Sequence, residues 1–168
     1  MMPRCPMFVC SLVKTAAMLG SIALAATPAA PTLAATTDPF QVLYIFPGVR
    51  DNGGADNTGA ATVVFCYSFS STAETIQNVV RGFDGTVAAN TTTGISPFQT
   101  ITTSTHINAP YTSNVSLHTG VVAQGILGVL ATSPNMVCTA QVINASDSFP
   151  TGIDLHGMRL NPLPGVQE

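Results

Sequence analysis

Few residues of this 168-residue chain have types and spacings that could do chemistry. The glycine-rich stretch DNGGADNTG gathers Asp51, Asn52, Asp56 and Asn57, an oxygen-rich set of the kind that holds calcium. It lacks the alternating acids and closing glutamate of an EF-hand loop, so it reads as a turn in which Asn, Asp and Gly supply unusual backbone angles. His106, His118 and His156 are ligand types for zinc or copper. No two of them have a local ligand spacing, although His156 and Met158 fall on one strand face. A cupredoxin needs a cysteine with His and Met a few residues on, whereas Cys138 precedes His156 by eighteen residues. Asp51, Asp56 and His156 are therefore the metal candidates, and no metal or cofactor is expected.

Catalytic patterns are equally sparse. There is no G-x-S-x-G elbow for a serine nucleophile. Glu74 is the only glutamate before the last residue and the aspartates sit mainly in turns, so a carboxylate pair for glycoside cleavage is unsupported. No catalytic residue is assigned, and the chain is expected not to be an enzyme. Asn90-Thr-Thr, Asn114-Val-Ser and Asn144-Ala-Ser match glycosylation acceptors, which carry meaning only in some hosts.

The cysteines carry a firmer message. Cys66 and Cys138 lie far apart in runs that read as strands, and in an exported protein such a pair oxidises to one bridge. No C-x-x-C spacing supports a redox or metal role. A bridge running between two facing sheets puts Thr62, Val64, Cys66 and Ser68 inward, with Met136, Cys138, Ala140 and Val142 on the same side of their strand. Val63, Phe65, Tyr67 and Phe69 then point outward. That row is either a ligand face of Phe65, Tyr67 and Phe69 for a glycan or a protein, or a surface that a crossing segment covers.

The elements that would position these residues are strands. Runs at Gln41–Val49, Ala60–Phe69, Thr75–Gly82, Thr86–Ala89, Phe98–Ile107, Asn114–His118, Val121–Ala131, Asn135–Ile143 and Ile153–Asn161 are separated by Gly, Asn, Asp and Pro signals. Short strands at even spacing predict a β-sandwich or barrel. Ser71 and Glu74 form a capping box, and Ile76, Val79, Val80 and Phe83 have helical spacing. A strand is nevertheless expected over this segment, because Asp84–Gly85 is a hairpin turn that lets the next run pair back. Threonine-rich stretches suit half-exposed strands, and scarce charge leaves few of the usual blockers of sheet edges.

Residues 1–35 read as an export signal. Arg4 and Lys14 precede the apolar run Thr15–Ala26, and prolines and small residues follow. The run is shorter than the roughly 20 residues a bilayer-spanning helix needs, so no membrane span is expected after cleavage. Cys5 and Cys10 leave with it. Residues 36–168 are then one domain, secreted or periplasmic. That portion has Arg50, Arg81 and Arg159, no lysine and eight carboxylates, a net charge of −5. Three bases provide no footprint for a phosphate backbone, so nucleic acid is excluded as a partner.

The distant cysteines resemble those of immunoglobulin domains, but the chain has no Trp, and Met136 stands where those domains carry a Tyr before the second cysteine. The fold expected is therefore all-β: a single antiparallel sandwich, immunoglobulin-like or fibronectin-III-like, of about seven to nine strands with one inter-sheet disulfide. PGVRDNGGADNTGAATVVFC (Pro47–Cys66), LATSPNMVCTA (Leu130–Ala140) and LHGMRLNPLPGVQE (Leu155–Glu168) resemble a group of small exported bacterial proteins without an assigned activity. The resemblance implies one exported sandwich domain and no site residue. The chain is also similar to chaperone–usher pilins in size, low charge and a single bridge, yet it ends in LNPLPGVQE, with prolines where a donor strand needs N–H groups. The expected role is a non-catalytic binding or surface-interaction module with an unknown protein or glycan partner. A fibre or coat subunit, or another homo-oligomer, is the alternative, followed by a metal-binding or hydrolytic periplasmic enzyme.

Overall fold

A computed structural model describes residues 40–113 and 115–161; residues 1–35, expected to be an export signal, lie outside them. The strands are β1 (Gln41–Asn52), β2 (Ala60–Ser68), β3 (Glu74–Gly82), β4 (Val87–Ile95), β5 (Thr100–Ser104), β6 (Val115–Ser116), β7 (Val121–Ala131), β8 (Met136–Asn144), β9 (Ile153–Leu155) and β10 (Met158–Arg159). They form two five-stranded sheets, in the orders β10-β1-β7-β3-β4 and β6-β5-β2-β8-β9. This is the expected all-β sandwich. The pairings are antiparallel except the short parallel contact of β5 with β6.

The core follows from alternation. Leu43, Phe46 and Val49 of β1, Leu127, Val129 and Ala131 of β7, and Ile76 and Val80 of β3 are buried in the first sheet. Val64, Cys66, Ile101, Met136, Cys138 and Ala140 are buried in the second and belong to the same cluster. The ambiguous segment Ser71–Phe83 contains strand β3, Glu74–Gly82, and no helix, and β3 pairs with β4 across the Asp84–Gly85 turn. The hairpin partner runs on to Ile95, well past Ala89, because Asn90 to Thr93 suit an exposed pleat.

The bridge forms between Cys66 and Cys138, but it does not join the two sheets. The two residues face each other directly in the β2–β8 ladder of one sheet, with Cα atoms 4.1 Å apart. A separation of 72 residues is compatible with strands that oppose or strands that adjoin, and here they adjoin. The inward and outward assignment survives this correction, since both sulfurs still point into the core.

The run Ile153–Asn161 is not one strand. β9 pairs with β8 in one sheet and β10 with β1 in the other, so the chain crosses between layers at His156–Gly157. A Cβ at Gly157 would come within 2.3 Å of the Phe46 ring, so only glycine lets the crossing lie this close. Arg159 then fastens the layers. Its guanidinium donates to the Met136 carbonyl and Tyr44 hydroxyl, each at 2.6 Å, and to the Pro134 carbonyl at 2.7 Å, and it lies over the Tyr44 ring. Arg159→Met should therefore lower stability by about 1–3 kcal/mol, since hydrogen bonds from a charged group exceed neutral ones. Lysine should restore little of it for want of the planar fork. Urea titration of both variants checks this; an unchanged midpoint for Arg159→Met would refute it.

Candidate functional site

The structure separates the residues that the sequence offered as metal candidates. Asp51 is buried at the end of β1; its Oδ1 accepts from the Gly53 N–H at 2.6 Å and its Oδ2 lies 2.6 Å from His106 Nδ1. Asp56 is exposed in the following loop, and His156 is exposed at the crossing between sheets. Among the described residues no three His, Cys, Asp or Glu side chains come together. The loop itself is organised as turns: Asn52 Oδ1 accepts from Gly54 N–H, Thr58 Oγ1 donates to the Ala55 carbonyl, and Asn57 has a φ of 61°.

The aromatic row does face outward from the second sheet, and it is partly covered. Val63 is fully buried in a small cluster with Ala61, Ile143 and Ala145, and Phe65 packs on it beneath Tyr111 with ring centroids 5.0 Å apart. The connection between β5 and β6 is thus a crossing segment. Tyr67 and Phe69 lie beyond it as an edge-to-face pair at 4.9 Å, with Phe69 48% exposed. The Ser68 N–H donates to the Gln99 carbonyl, which brings the turn carrying Phe98 alongside this end.

A second surface combines charge with shape. In the first sheet, Gly82 of β3 is in register with Gly125 of β7, and Gly125 in turn with Val49 of β1, next to Gly48. β3 and β7 therefore carry glycine at one level, and β1 has Gly48 one residue from it, where its register with β7 shifts. A Cβ at Gly125 would stand 2.5 Å from the Arg81 carbonyl oxygen, so the strands approach this closely only with glycine in place. The result is a shallow hollow of about 390 Å³ walled by Pro47, Arg81, Phe83, Gln124 and Ile126. It continues past Gly48 and Gln124 into a second hollow bordered by Arg50 and Ala123.

Two of the three arginines after residue 35 thus border one trough. They stand on strands two spacings apart, about 10 Å. Arg50 Nε donates to the Ala123 carbonyl at 3.1 Å and Arg81 Nη1 to the Gly85 carbonyl at 3.0 Å, so each is oriented while other N–H groups remain to donate. Neither is ion-paired among the described residues, where the pair found is His106 with Asp51. Asp84 sits in the adjoining turn, and the Thr86 hydroxyl, then the Thr86 N–H, hold its carboxyl below the usual range. That carboxylate is bound to Thr86 rather than to either arginine. Phe83 projects at the rim and is 83% exposed.

The sequence reading overlooked this trough. The signals were isolated glycines within the strand patterns and the scarcity of arginine. No family model matches the chain, and no curated protein matches it. Among solved structures it is similar to Thermotoga maritima 1070, at 9% identity and a TM-score of 0.44, over 68% of this chain and 92% of that one.

Proposed function

We propose that this protein is an exported, non-catalytic binding module whose trough on the first sheet takes a glycan bearing acidic groups. The observation that carries the reading is the pair of guanidiniums, Arg50 and Arg81, along one trough, with no carboxylate bound to either among the described residues. Guanidinium N–H groups match carboxylate or sulfate oxygens, and the exposed Phe83 ring offers an apolar face to a sugar. Export is supported by the basic, apolar and small-residue order of residues 1–35 and by the bridge, which persists in oxidising compartments.

Calorimetric titration with a polyuronate oligosaccharide and a neutral one of equal length tests the reading. The acidic chain should bind, and Arg50→Ala with Arg81→Ala should weaken it roughly tenfold or more, since lost charge-assisted hydrogen bonds are worth about 1.5–3 kcal/mol each. Higher salt should weaken it too. No binding of the acidic chain, or binding indifferent to both arginines, would overturn the proposal.

A further inference from the structure

The four margins of the two sheets are unequal. Three end in strands of two or three residues: β10, β9 and β6. Where β1 extends beyond β10 it is guarded by Pro47, which has no N–H, by register shifts around Gly48, and by the exposed Arg50. Short strands, proline, bulges and charge are the devices by which proteins keep sheet edges from pairing.

The fourth margin is neither short nor charged and has no proline; its register with β3 shifts once, at Ala88 near one end. β4 runs nine residues, VAANTTTGI, and pairs only with β3. It contains no charge and no proline. Its β-branched residues favour an extended conformation. Asn90, Thr92 and Gly94 are exposed on one face, and Thr91 and Thr93 are half-buried on the other. A row of unpaired backbone groups along about 30 Å of uncharged strand is a template for another strand.

We infer that β4 pairs antiparallel with β4 of a second copy, joining the two first sheets into one of ten strands. The sequence is self-complementary in this arrangement. With Thr91 on the two-fold axis, Asn90 faces Thr92 of the other copy and Ala89 faces Thr93, all within the regular part of the strand, so threonine and amide pairs can hydrogen-bond and no like charges meet. Two chains of net negative charge approach most easily along an uncharged element. The contact is isologous and closes at two copies, and among the described residues the three blunted margins leave no comparable edge for continued growth. A discrete dimer follows, where a fibre or coat would need a second adhesive surface. This surface shares no residue with the trough, so either inference can fail alone.

Sedimentation equilibrium of the exported protein should give twice the chain mass. Asn90→Lys with Thr92→Lys sets lysines opposite one another and should weaken association roughly tenfold or more, while circular dichroism and melting stay those of a folded sandwich. Lysine at the exposed Val121, on a different strand, should leave the dimer intact. A wild-type monomer, an open-ended polymer, or a dimer indifferent to the β4 lysines would overturn the inference. If the double variant unfolds, Thr92→Lys alone supplies the same comparison.

Discussion

His106→Ala should lower the free energy of unfolding by about 3–5 kcal/mol, the range expected when one partner of a buried ion pair is removed. The imidazole and the Asp51 carboxylate are 7% and 1% exposed, with Nδ1 and Oδ2 2.6 Å apart. His106 Nε2 lies 3.1 Å from the Thr58 carbonyl, which can only accept, so that nitrogen carries a proton. The remaining proton of the pair lies between Nδ1 and Oδ2. Without the ring, Asp51 keeps one hydrogen bond, from Gly53, and a carboxylate sealed from water. The pair also joins the end of β1 in one sheet to the segment after β5 in the other, beside the backbone bond from Asn57 to Ile107. Asp51→Ala alone should also be costly, and the double variant should be less unstable than the sum, with a coupling of about 1–3 kcal/mol. Chemical denaturation of the three variants gives the cycle. A loss under about 1 kcal/mol for His106→Ala would show that water or a neighbour replaces the ring.

This latch shows what the sequence could and could not convey. Asp51 and His106 are 55 residues apart, and neither belongs to a local pattern. Asp51 was conspicuous only through its loop neighbours, which suggested oxygen ligands for a cation. In the folded chain the acid turns away from Asp56 and toward a histidine delivered by the crossing segment. Strand positions, by contrast, were legible, because alternation and turn residues are local quantities. β7 falls at Val121–Ala131 as read, and β2 and β8 differ by a residue at their ends. The last strand failed because apolar spacing does not reveal that a chain changes sheets; the cue was Gly157, needed for close passage over Phe46.

The aromatic row lies between these cases. Its outward direction followed from period two along β2 and needed no knowledge of partners. Its cover did not: Tyr111 reaches Phe65 through a connection whose path depends on the His106 latch and on the Ala109 N–H bonding the Ala145 carbonyl. The trough is harder still, since it brings together residues of three strands, among them glycines that coincide on β3 and β7. Register decides that coincidence, and register is a property of the assembled sheet.

Register also bears on the bridge. Replacing Cys66 and Cys138 together by alanine should cost about 2–4 kcal/mol, the usual effect of a native cross-link closing a long loop. Alanine is the better probe because serine would bury an unpaired hydroxyl beside Met136 and Ala140. The nine pairs of the β2–β8 ladder do not need the bridge for their geometry, since their hydrogen bonds and buried faces already set it. The larger share of the effect should therefore lie in the unfolded chain, where the bridge ties residues 72 positions apart. That account makes a second demand. Freed of its cross-link, the unfolded chain expands and exposes more surface, so the denaturant slope should rise while the midpoint falls. A midpoint that falls at constant slope would locate the bridge's contribution in core packing. An unchanged midpoint would mean that the ladder alone carries the stability of this sheet.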